Sequence, residues 1–331
     1  MKIAIVGCGA LGSYYGAKLA HAGRNVHFLL RSDFDVVRKK GVLIESPLGN
    51  FRAHPKCANS PEAIGISDLV IIGLKTTANH ELKNLLTPLM GPQTAILTLQ
   101  NGLGNEELLA ELFGPEKIMG GLCFVCLNRI EPGWIRHTAA GSVLMGEFQR
   151  WPEPRTHDVA SMIRHSGIPC KVTDNLESAH WEKLVWNIPF NGLGVAGVAG
   201  YESVLSGNLP TPFRPGPVLD TAALLADPRW KELVRELMLE IIQVALAKSL
   251  KVPDRLAQTQ IERTGEMGAY KASTLLDYEK GLPLELESLF LEPLRQAKAT
   301  AVTTPRLEAL CKVLNTLSSN FSMNTHFPGH A

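Results

Sequence analysis

Three glycines spaced Gly7-x-Gly9-x-x-Gly12 directly follow the apolar run Ile3-Ala-Ile-Val6 and open a helix-like segment. In such a pattern the first glycine permits a tight turn and the second lets backbone N–H groups reach a pyrophosphate. The third allows a helix to pack closely on the strand. Gly7, Cys8, Gly9, Ala10, Leu11 and Gly12 are therefore read as a dinucleotide-phosphate cradle, against the alternative of a purely structural Gly-rich turn. Cys8 is read as a small packed residue. A site selective for NAD would carry Asp or Glu about 20 residues past the glycines, accepting from the ribose 2′-OH. This chain carries Arg31-Ser32 instead, a cation and a hydroxyl suited to a 2′-phosphate. That favours NADPH/NADP; the competing reading is a surface Arg beside Asp33 or Asp35.

Further chemistry is expected where strands end. Lys75 and Asn101-Gly102 each follow a strand-length apolar run, at the sheet edge where open α/β folds bind ligands. Taken singly, each is equally compatible with a surface lysine or an ordinary Asn-Gly turn. In the second half, Lys183, Asn187 and Asn191 fall at steps of four within Trp181–Asn191. Each step drifts only about 40° on a helix, so the three polar groups share one face. Trp, Leu, Val, Ile and Phe flank them, which implies a partly dry border where a lysine can act as proton donor. A lysine reaching out to water beside two capping amides is the alternative. Ser273–Asp277 and Leu284–Ser288 place hydroxyls and carboxylates on predicted helices. Cys123-x-x-Cys126 lacks the second ligand pair a zinc site needs and reads as core, so no metal is expected.

The elements that must position these residues follow from periodicity. Ile3–Val6, Val26–Leu30, Asp68–Ile72 and Ala95–Leu99 are buried-strand runs, separated by helical stretches at Leu11–His21, Asp33–Lys40 and Asn79–Met90. That alternation predicts βαβ units and a doubly wound parallel sheet. Gly120–Glu147 reads as a hairpin or meander split at Pro132-Gly133 and Ala140-Gly141. From Asp174-Asn175, a helix start, periodicity turns to 3.6 residues, with Leu233, Val234, Leu237, Met238, Ile241, Val244 and Ala245 on one stripe. The prediction is an α/β domain over residues 1–173 and an all-helical substrate domain over 174–331, with Ser206–Pro217 as an internal Pro-rich loop.

Composition narrows the function class. Thirty-three Lys and Arg against 32 Asp and Glu leave a formal charge of +1 in 331 residues, with no field to gather nucleic acid or an anionic membrane. No apolar run reaches the roughly 20 residues of a spanning helix, and the glycine loop interrupts any signal-peptide core. Six cysteines are too sparse for a disulfide framework, which points to a reducing compartment, the cytoplasm by default. The expected partner is a small molecule; a homodimer is compatible with the sequence.

Gly7–Gly12, Leu74-Lys75, Gln100–Gly104, Trp181–Leu184 with Asn187 and Asn191, Ser273–Asp277, Glu285 and Thr304-Pro305 together resemble the ketopantoate reductase (2-dehydropantoate 2-reductase) family, from Lys2 to about Leu317. The resemblance implies an NADPH-dependent reductase of a 2-oxo acid in pantothenate biosynthesis, with a Rossmann-type domain and a helical C-terminal domain. It implies that Gly7–Gly12 holds the pyrophosphate, Arg31 the 2′-phosphate, and Lys75 and Asn101 the cofactor, Asn101 near the nicotinamide. Lys183 matches the family's general acid, Glu285 its active-site carboxylate, and Asn187, Asn191 and Ser273 its substrate positions. The chain departs from the pattern at Phe290-Leu291, where an Asn-Gly pair is usual, and at Tyr270, where Asn is frequent. It also lacks a Ser or Thr after Asn191, and its Pro-rich insertion is extra. Those departures leave the identity of the 2-oxo acid open: Phe290-Leu291 predict a more apolar substrate than ketopantoate if they face the cleft, and helix spacing equally allows both to point into the helical core. Two other functions fit the fold: a related two-domain NADP dehydrogenase of another hydroxy acid, and a non-catalytic NADP-binding sensor.

Overall fold

The β-branched runs of the first half form strands whose side chains are covered on both faces, as in Leu69–Ile72 and Ala95–Thr98, where every residue is buried. The structure is a computed structural model and describes residues 1–253 and 255–324. Two compact units divide the chain, Met1–Ala179 and His180 onward.

In chain order the first unit runs β1 (Lys2–Val6), α1 (Ala10–His21), β2 (Asn25–Leu29), α2 (Phe34–Lys40), β3 (Val42–Glu45), β4 (Phe51–Ala53), β5 (Lys56–Ala58) and α3 (Pro61–Ile64). It continues with β6 (Leu69–Ile72), α4 (Leu82–Leu86), β7 (Ala95–Thr98), α5 (Asn105–Phe113), β8 (Ile118–Glu131), β9 (Trp134–Glu147), α6 (Pro154–His165) and β10 (Cys170–Val172). All ten strands join one sheet in the order β4-β3-β9-β8-β7-β6-β1-β2-β5, with β10 pairing β9. Strands β5, β2, β1, β6, β7 and β8 are parallel neighbours. The chain leaves β1 toward β2 on one side and returns to β6 on the other, a topological switch whose carboxyl edge is the ligand crevice of such sheets. Buried side chains of β1, β6 and β7 pack in two clusters, one per sheet face. Each fully buried Ile or Leu contributes about 1.5–3 kcal/mol.

The four predicted strands and the doubly wound order are present. The predicted helix Asn79–Met90 is not continuous: a 3₁₀ segment at Thr76–Glu81, the short α4, and a second 3₁₀ turn at Thr87–Leu89 replace it. Pro88 carries no amide hydrogen to donate to residue 84, and this ends the α-helical ladder. Ala140-Gly141 does not split the hairpin either. Strands β8 and β9 are each 14 residues long and stay paired across it, absorbing the irregularity as bulges. The short strands β3, β4, β5 and β10, and helix α6, go beyond the sequence reading.

The regular elements of the second unit are all helices among its described residues. Helix α7 (Leu176–Ala196) begins in the first unit, where Asn175 Oδ1 accepts from the Ser178 amide at 2.8 Å, the expected start signal. It runs 21 residues with Pro189 inside. Then come α8 (Tyr201–Ser206), α9 (Thr221–Ala226), α10 (Pro228–Ala247), α11 (Leu256–Glu266), α12 (Ser273–Glu279), α13 (Glu292–Ala299) and α14 (Pro305–Asn324). The stretch after α8 is irregular up to Asp220, which caps α9 through the Ala223 amide, and the expected stripe on α10 is buried. Glu240 of α10 accepts from the Arg306 and Leu307 amides at 2.8 and 2.9 Å, closing the start of α14. Among the described residues no helix is long and apolar enough to cross a membrane.

Candidate active site

Each glycine of the loop after β1 has its own reason. Gly7 has φ +93°, and a Cβ on it would stand 2.2 Å from the Leu74 amide nitrogen. The turn out of β1 therefore touches the backbone leaving β6. A Cβ on Gly12 would meet the Gly7 carbonyl oxygen at 2.2 Å, which fixes the approach of α1. At Gly9 a Cβ would meet nothing within 4 Å. Gly9 is exposed and opens onto empty space at the start of α1. Ser13 ties the loop down by donating its hydroxyl to the Cys8 carbonyl at 2.9 Å and its amide to Gly9 O at 3.1 Å. The Cys8 thiol packs on the core and donates weakly to Ile5 O at 3.6 Å. Burial, with smaller effects from Cys57 and Asp33, holds that thiol well above its ordinary pKa, so it is a protonated packing group and no nucleophile.

At the end of β2 the chain bends through Arg31 and Ser32, both exposed, into a buried Asp33. The Asp33 carboxylate accepts from the Ser32 hydroxyl at 3.0 Å and pairs with Arg129 of β8. Along the same sheet edge, Lys75 stands just ahead of the 3₁₀ segment after β6, and Asn101 follows β7. Gly102 and Gly104 turn this second loop at φ +88° and +86°. Side-chain amides bind the two loops together. Gln100 Nε2 donates to Asn79 Oδ1 at 2.8 Å, Asn79 Nδ2 to Asn105 Oδ1 at 3.1 Å, and Asn105 Nδ2 to the Asn101 carbonyl at 3.1 Å. Asn79, Gln100 and Asn105 are thus the scaffold of Lys75 and Asn101, a role their spacing did not announce.

In the second unit, Lys183, Asn187 and Asn191 lie on the unbroken α7, Lys183 part-exposed and both asparagines buried. Asn191 Oδ1 accepts from the Thr274 amide at 3.0 Å and from the Ser273 hydroxyl at 3.3 Å. These bonds join α7 to the start of α12 and fix the carboxamide with its Nδ2 as the donor end. The structure thus brings Ser273 to Asn191. Glu285 is buried but, against expectation, stands before a helix, two residues ahead of the π-helical turn Glu287–Leu291. Such turns displace side chains from regular helical spacing. Trp186 stacks near Phe190 and Tyr270, with centroids at 5.1 and 6.2 Å, and donates to Thr264 Oγ1 at 2.9 Å. Burial raises the carboxyl of Glu182, beside Lys183, above its ordinary pKa.

The ketopantoate reductase PanE/ApbA family model matches residues 3–150, and the C-terminal model of the same family matches residues 218–318. A 2-dehydropantoate 2-reductase from Nostoc sp. is 37% identical over 319 residues, covering 93% of this chain and 92% of that protein. This chain belongs to the ketopantoate reductase family. A crystal structure of 2-dehydropantoate 2-reductase from Geobacter metallireducens superposes with a TM-score of 0.87 at 43% identity, covering 96% of this chain and 99% of that one. D-mandelate dehydrogenase, solved with NADH and anilino(oxo)acetate, shares the fold at a TM-score of 0.81 and 19% identity over 97% of this chain and 99% of that one.

The family's cofactor fits the first unit's loop. Gly9 leaves open the space a Cβ would fill, and the amides that begin α1 border it. Of the departures from the family pattern, Phe290 is fully buried and packs against Gly192 of α7. It is helical core, so it gives no reason to expect a more apolar substrate. Tyr270 instead joins the aromatic group at Trp186, next in sequence to Asn187. Among the described residues no cluster of His, Cys, Asp or Glu could hold a metal ion.

Proposed function

We propose that this ketopantoate reductase family member reduces a small 2-oxo acid, 2-dehydropantoate or a close analogue, with NADPH. The observation that carries this reading is the Gly7–Gly12 loop, open at Gly9 and set on the same sheet edge as the exposed Arg31. Amides of the loop would hold the pyrophosphate, and Arg31 would pair with the 2′-phosphate in a charge-assisted contact. Lys75 and Asn101, steadied by the Gln100–Asn79–Asn105 relay, would position the rest of the dinucleotide. NADPH, when bound, supplies the hydride to the C2 carbonyl. Lys183 Nζ gives a proton to the oxygen as negative charge develops there, the role of a positioned general acid. Asn187, Asn191 through its Nδ2, and Ser273 would hold the substrate, and Glu285 would supply the compensating carboxylate.

Cytoplasmic placement and assembly as a homodimer belong to the same proposal. In support of a reducing compartment, no cysteine among the described residues is in a disulfide. Sedimentation of the purified protein tests the dimer. For the activity itself, NADPH consumption is followed across a panel of 2-oxo acids including ketopantoate and 2-oxoisovalerate. Turnover of at least one supports the reading. NADPH binding with no turnover across the panel replaces it with a non-catalytic sensor.

A further inference from the structure

Asp33 is an unexpected residue for an NADPH site. It follows Arg31-Ser32 directly, and an acidic group near the end of the second strand is the feature that selects NAD by accepting from the ribose 2′-OH. Beside a 2′-phosphate the same carboxylate would repel. Its position before α2 would ordinarily commit it to capping that helix. Yet its side chain makes no cap hydrogen bond. The carboxylate turns instead to two partners, the Ser32 hydroxyl at 3.0 Å and the guanidinium of Arg129. Arg129 comes from β8, 96 residues away in sequence. The Asp33 side chain is only 9% exposed, whereas that of Arg129 is 40% exposed. The negative charge is therefore sequestered while the positive one stays accessible. Asp33 also reaches the glycine loop electrostatically, since its charge contributes to raising the Cys8 thiol.

We propose that Arg129 is a cofactor-specificity residue. It holds the Asp33 carboxylate in an ion pair, so that the bend at Arg31-Ser32 presents net positive charge to a 2′-phosphate and withholds the acceptor that a ribose 2′-OH would use. It is a positioning residue, acting through Asp33 and not on the reacting atoms. The inference rests on the NADPH reading above and adds to it the device that prevents the NAD alternative.

The test is calorimetric titration of the full-length protein with NADPH and with NADH, in wild type, Arg129→Leu, Asp33→Asn and the double variant. The wild type should prefer NADPH by about tenfold or more. Arg129→Leu exposes the carboxylate, and the NADPH-to-NADH affinity ratio should fall about tenfold, as expected for juxtaposed like charges. Asp33→Asn removes the charge that needs neutralising and should keep the wild-type ratio within about threefold. Adding it to Arg129→Leu should restore that ratio, which general structural damage would not do. Equal weakening of both cofactors in Arg129→Leu, an unchanged ratio, or a double variant as poor as the single one overturns the inference. A wild-type protein without preference fails the NADPH reading itself, and the inference with it. That failure is visible before any variant is made.

Discussion

Around Gly7–Gly12 the groups that would meet a ligand are backbone amides, while along α7 they are side-chain amides and an ammonium. The first arrangement needs glycine where a side chain would collide, as at Gly7 and Gly12, and its parts lie within six consecutive residues. The second needs a partner from another helix: Asn191 is fixed by Thr274 and Ser273, more than 80 residues along the chain. A backbone site is written locally and excludes a Cβ where backbone closes on backbone, as at Gly7 and Gly12. A side-chain site is assembled by tertiary packing and is sensitive to which end of an amide points where.

Within the loop itself the sharpest contrast is between two glycines. Gly7→Ala forces a Cβ to 2.2 Å from the Leu74 nitrogen in a left-handed conformation and should cost about 3 kcal/mol or more of stability. Gly9→Ala meets nothing within 4 Å, so thermal unfolding should be unmoved while NADPH affinity falls. Melting curves paired with cofactor titration check both, and a matching loss of stability in the two variants would break the distinction.

In the second unit, Asn191→Ala strips the buried Thr274 amide of its acceptor and should lower stability by about 1–3 kcal/mol. Asn191→Asp keeps the acceptor and removes the Nδ2 donors. It should retain most of the stability yet raise KM for the 2-oxo acid. Urea unfolding beside steady-state kinetics separates the two effects, and an Asp variant with unchanged KM would reduce Asn191 to a packing role.

The smallest effect concerns Glu182. Burial raises its folded pKa above the ordinary 4.5, so the native state holds its proton more tightly than the unfolded chain does. Its contribution to stability is thus present at acidic pH and lost as pH rises through the raised value. Glu182→Gln should flatten that decline, gaining slightly on wild type near neutral pH, as urea midpoints measured at acidic and at neutral pH would show. A variant with the wild-type pH slope would contradict the assignment.

The same contrast explains what the sequence could disclose. The parallel strands and the glycine loop were legible because continuous apolar runs and glycine spacing are local patterns with direct physical causes. The start of α7 was legible for the same reason, since Asn175 caps it from a few residues away. Arg129 was not, because nothing periodic links it to Asp33 on a strand far along the chain. Asn79, Gln100 and Asn105 were missed as a relay because they meet only when the loops after β6 and β7 are side by side. Glu285 stands one residue ahead of its helix, whose first turn it closes by accepting from the Leu289 amide, a boundary that side-chain spacing alone does not fix. Helix spacing alone lets Phe290 face either a pocket or the core, and only its packing against Gly192 decides for the core.

The proposed chemistry depends most on Lys183 as proton donor, and the most direct measurement is the turnover of Lys183→Ala with NADPH and the best 2-oxo acid of the panel, alongside cofactor titration of the same variant. Loss of a positioned general acid should lower kcat by about 10²-fold or more while leaving NADPH affinity nearly unchanged. A variant that turns over within a few-fold of wild type would contradict the claim.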